Sequence, residues 1–110
     1  MATGSIGHNM SEVQRLMAKV QNYENKKNDI TLSIEEILKQ IESDTTTLGL
    51  LDPDSPKAKN IQSIIAKLKE TEQALRRKQQ ALIAQQQVAE AELRDYQNRL
   101  DQEISGMGKG

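Results

Sequence analysis

The chain has 110 residues, of which 35% are apolar and 28% charged; its net charge is −1, and it holds no Cys, Phe or Trp and only two aromatics, Tyr23 and Tyr96. This length allows one small domain, and so few aromatics argue against a globular core of ordinary thickness, whereas a narrow seam between helices needs far less apolar surface. The near-neutral balance implies no general attraction to nucleic acid or anionic membrane, the lack of Cys excludes disulfides and thiolate metal sites, and no apolar run approaches the roughly 20 residues that span a bilayer.

Residues 1–10 read as a mobile, polar N-terminal tail with Gly4, Gly7 and the single histidine, His8. A sharper reading makes them a segment that orders on assembly or is read by an export machine. One histidine without a second ligand is no metal site. The stretch from Met1 to Asn9 has neither a basic start nor an apolar core, so no Sec-type signal is expected. That leaves the cytoplasm or export by a signal-independent route.

The first predicted helix covers residues 11–43. Ser11 with Gln14 three residues on matches a capping box. Val13, Leu16, Val20, Tyr23, Ile30, Ile34, Ile37 and Ile41 then recur at alternating intervals of three and four, with the polar Lys27 holding one position of the series. That is a coiled-coil seam sustained over about four heptads. Residues 44–55 read as a loop: Thr45, Thr46, Thr47 and Gly49 are poor helix formers, and Pro53 and Pro56 bias their predecessors away from the helical region. Leu48, Leu50 and Leu51 are expected to fold over the hairpin end as an apolar plug, or else to contact another subunit.

The second predicted helix covers residues 56–104, with Ser55 as N-cap and Pro56 at the first position. Its seam has two tracks. Ile61, Leu68, Leu75, Leu82, Ala89 and Tyr96 form one; Ile65, Glu72, Gln79, Gln86, Leu93 and Leu100 form the other. Glu72, Gln79 and Gln86 put polar groups in mid-seam, which weakens a core but restricts register and partner number. Ile64, Ala74, Ala81, Ile83, Ala84, Val88 and Ala91 widen the apolar face, and the small ones among them let further helices approach. Residues 105–110 are expected to be a flexible end.

A first helix of about 33 residues reaches only some two-thirds of the way along the second. The expected consequence is an uncovered stripe of Leu93, Tyr96, Leu100 and Ile104, offered to another chain. Chemistry-bearing groupings read as surface. Glu35/Glu36, Glu70/Glu72 and Glu90/Glu92 do not share a helix face, and Arg76, Arg77 and Lys78 lack interleaved aromatics and a net basic face. The glutamines at 79, 80, 85, 86 and 87 sit on a helical period and read as lining interhelical contacts or a wetted cavity rather than driving amyloid-like pairing.

Two details carry a resemblance. The turn Pro53-Asp54-Ser55-Pro56 and the ending Ile104-Ser105-Gly106-Met107-Gly108-Lys109 are similar to those of helical-hairpin needle and filament subunits of type III secretion systems. The resemblance implies subunits that polymerise around a channel, with the long C-terminal helix toward the lumen and Gln79 and Gln86 wetted.

The expected fold is therefore all-α, an antiparallel two-helix coiled-coil hairpin over residues 11–104 with mobile ends. The expected function is non-enzymatic: a self-assembling helical-hairpin subunit of a homopolymeric filament or tube, of the kind a secretion apparatus builds. The alternative is a soluble coiled-coil adaptor or chaperone that binds a helical partner. The expected partners are the chain itself or another helical protein, with no nucleic acid, membrane span, small-molecule substrate, cofactor or metal.

Overall fold

The computed structural model describes residues 2–108, with side chains placed from 6 to 107. The protein is an all-α helical hairpin: α1 (Ala2–Gly49) and α2 (Pro56–Gly108) joined by a short turn, with no strand among the described residues. It packs as two compact units. One joins Met1–Lys26 to Leu82–Gly110; the other is Lys27–Ala81. The first joins the early part of α1 to the late part of α2, and the second joins the late part of α1 to the early part of α2, so the helices run antiparallel.

The unit 27–81 holds the turn. Ile30, Ile34, Ile37, Ile41 and Leu48 on α1 and Ala58, Ile61, Ile65, Leu68 and Leu75 on α2 are buried or half-buried. The Ser55 hydroxyl accepts from the amide of Ala58 (3.1 Å) and donates to the Asp52 carbonyl (2.7 Å). The Asp52 carboxylate accepts from the amide of Asp54. Ser55 is thus a true N-cap ahead of Pro56, and Ser55→Ala is expected to lower stability by about 1 kcal/mol in urea unfolding.

In this unit α1 ends at Gly49, six residues beyond the expected Ser43. The hydroxyls of Thr46 and Thr47 donate to the carbonyls of Glu42 and Ser43, which keeps both threonines inside the helix. Asp44 and Leu48 prolong the three–four spacing, and burial of Leu48 outweighs the weak propensity of the Thr run. Gly49 has no positive φ. Leu48 and Leu51 are half-buried as a plug requires, but Leu50 is 84% exposed and takes no part in one.

The other unit departs further from expectation. α1 begins at Ala2, so Ser11 lies in mid-helix and caps nothing. Ile6 is half-buried and Asn9 is buried, continuing the seam of Val13, Leu16, Val20 and Tyr23 by two positions toward the N-terminus. Likewise α2 runs through Ser105 and Gly106 to Gly108. Residues 2–10 and 105–108 are therefore helical, not tails; Met1, Lys109 and Gly110 lie outside the described residues.

This removes the length mismatch. α1 has 48 residues and α2 has 53. Within the unit α1 reaches the stripe that was expected to lie bare: Leu93, Tyr96 and Leu100 are half-buried, and only Ile104 stays mostly exposed.

Candidate functional site

The side chains with the most to say lie along the seam and on its flanks. Among the described residues Leu16 is the one large side chain that is fully buried; Ala58 is fully buried too, and Ile34, Ile65 and Ala89 are nearly so. Between these apolar layers sit polar ones, and they pair across the hairpin. Asn9 donates its amide to Glu103 (3.0 Å), and Gln86 donates to Glu24 (2.8 Å), both in the unit that holds the chain ends. In the turn unit Gln79 donates to the Thr31 hydroxyl (2.7 Å), which itself donates to the Lys27 carbonyl. Glu72 lies at a half-buried seam position and accepts from Arg76 on its own helix.

Such pairs contribute about 1 kcal/mol each, but a register slip would strand every one of them in an apolar layer. They specify one alignment. Lys27, Glu72 and Gln79 are half-buried and Gln86 is buried, whereas Gln80, Gln85 and Gln87 face solvent.

Glu103 is, with Asn9 and Asp44, one of the polar seam positions that sequence reasoning missed. Its Oε1 accepts from Asn9, while its Oε2 is buried with no donor. Asp44 is similar: Gln40 donates to Oδ1 and Oδ2 is left over. A buried acceptor without a donor costs about 1–3 kcal/mol, more when charged. Glu103→Gln keeps the shape and the Asn9 bond but removes the charge. It is expected to raise stability by about 1 kcal/mol in thermal unfolding at neutral pH.

At the end unit's flank, His8 and Tyr96 meet edge to face at 6.2 Å, and the Arg99 guanidinium lies over the Tyr96 ring at 5.2 Å. Glu12 accepts two N–H bonds from Arg15, which hold its carboxyl below the usual range and raise the guanidinium. The pair assists folding above about pH 4.5, and that assistance disappears as the pH falls through the lowered value of the folded state. Arg15 is half exposed and open to solvent screening, so the pair's contribution is small.

Outside the seam several large apolar side chains face solvent. Met10, Met17, Ile104 and Met107 do so in the end unit, and Leu32, Leu38 and Ile64 in the turn unit. Of the residues expected to widen the apolar face, Ile83 is half-buried and Ile64, Ala74, Ala81, Ala84, Val88 and Ala91 are exposed. Among the described residues there is no cavity, no convergence of three metal-ligating side chains, and no helix long and apolar enough to cross a membrane. No protein-family model, no curated protein and no solved structure matches this chain.

Proposed function

We propose that this chain is a non-enzymatic structural protein, a helical-hairpin subunit that assembles with copies of itself into a filament or tube. One observation carries the reading. Met17, Val88 and Ile104 are each more than half exposed. Covering such side chains gains about 25 cal/mol per Å², and a second copy is always at hand to do it. The Pro53–Pro56 turn and the Gly-containing C-terminal end support placing the polymer in a secretion apparatus of the type III kind.

The adaptor reading gains from a different observation. Because α1 covers Leu93, Tyr96 and Leu100, no long apolar overhang demands polymerisation. A closed hairpin with scattered apolar side chains also suits a module that holds one helical partner.

Light scattering over a concentration series, followed by negative-stain imaging, separates the two. Mass that grows with concentration into uniform rods or tubes supports the subunit reading. A constant monomer, dimer or tetramer contradicts it and leaves the adaptor.

A further inference from the structure

We infer that α2 carries a second, self-complementary seam on its outward face, through which it packs antiparallel against α2 of a second copy. This rests on the self-assembly reading and names one of the contacts it needs; a two-fold pair closes on itself, so growth into a filament takes a second contact besides.

The first observation is charge. From Pro56 to Ala81, α2 holds seven Lys and Arg against two Glu; from Leu82 to Gly108 it holds five Asp and Glu against two Arg. A parallel copy of α2 would set like charge on like, whereas an antiparallel copy sets each basic half on an acidic one. The second observation is register. Arg77, Ala81, Ala84, Val88, Ala91 and Asp95 follow at intervals of four, three, four, three and four, the spacing of a helix–helix seam, and all six are exposed. Val88 is 60% exposed.

Read backwards, that series has the same spacing. A two-fold axis crossing α2 near Gln86 therefore sets Arg77 against the second copy's Asp95, Ala81 against its Ala91, and Ala84 against its Val88, and each of these pairs occurs twice. Small side chains at the centre let the axes approach to the near end of the 8–10 Å range. Asp95 already pairs with Arg99 at 2.9 Å, but both groups are more than half exposed. That pair is worth little and leaves the carboxylate free to be shared.

A contact of this length is smaller than a standard interface, so it is read at high protein concentration and low salt. The test uses the full chain as Arg77→Asp and as Asp95→Arg, separately and mixed one to one, in sedimentation equilibrium. Circular dichroism checks that helicity is unchanged. Each variant alone sets like charges together twice, and its dissociation constant is expected to rise about tenfold or more. In the mixture both contacts become opposite in sign again, and association is expected to return to the wild-type level as a mixed pair. If the wild-type chain associates but neither variant weakens it, or the mixture does not recover, the inference is overturned and the self-assembly reading stands. A wild-type chain that stays monomeric throughout overturns both.

Discussion

A chain carrying Leu93→Asp together with Leu100→Asp is expected to lose about 5 kcal/mol of stability and to unfold the end of the hairpin. Both leucines are half-buried in the unit that pairs residues 1–26 with 82–110. Each substitution removes roughly 1–1.5 kcal/mol of partial burial. It also places an unpaired carboxylate against apolar neighbours, at a cost of about 1–2 kcal/mol more. Urea unfolding followed by circular dichroism measures the loss. Had these residues lain on a bare overhang, the same changes would leave helicity intact and affect only assembly. The two outcomes are far apart, so the experiment decides whether the stripe belongs to the hairpin or to its partners.

Leu16→Ala is expected to cost about 3 kcal/mol, within the range for a large buried side chain cut back to Ala. Leu16 has no exposed surface, and a two-helix seam has no second layer of side chains to collapse into the space. The neighbouring Met17 is 54% exposed, and Met17→Ala should change stability by less than about 0.5 kcal/mol. Thermal unfolding of the two variants, side by side, checks both numbers. A large loss from Met17→Ala would mean that Met17 is already covered in solution, and would point to self-association at that flank.

How much of this the sequence foretold depends on what occupies each seam position. From Val13 to Ile41, and from Ile61 to Leu100, the three–four rhythm is mostly apolar, and it placed the helices and the side each one turns inward. At the ends the rhythm continues but its occupants turn polar: Asn9 follows Ile6, Asp44 precedes Leu48, and Glu103 follows Leu100. Hydrophobic spacing cannot register such positions. The helix signals near them pointed the wrong way, because Gly7 and Gly106 suggested ends where the backbone stays helical, and Thr45, Thr46 and Thr47 suggested an end before Gly49, where α1 stops. The signal that could have found them was reciprocity: a polar seam residue on one helix implies a polar partner on the other, as with Asn9 and Glu103.

The candidate surfaces were less legible than the fold. The stripe of Leu93, Tyr96, Leu100 and Ile104 followed from a length difference, and that difference disappeared once α1 began at Ala2. The exposed small residues of α2 were visible in the sequence, but their relation to Arg77 and Asp95 emerges only when the inward seam is fixed and the outward face can be counted from it.

The central claim is that α1 is helical from its beginning and closes the seam as far as Asn9 and Glu103 within one chain. Amide hydrogen exchange on the full chain, at a concentration where it is monomeric, tests this most directly. The expected result is protection of the amides from Asn9 to Val13 well above that of an unstructured peptide, lost when Glu103→Ala removes the partner of Asn9. Exchange of those amides at the free-peptide rate would contradict it, and would return residues 1–10 to the status of a tail.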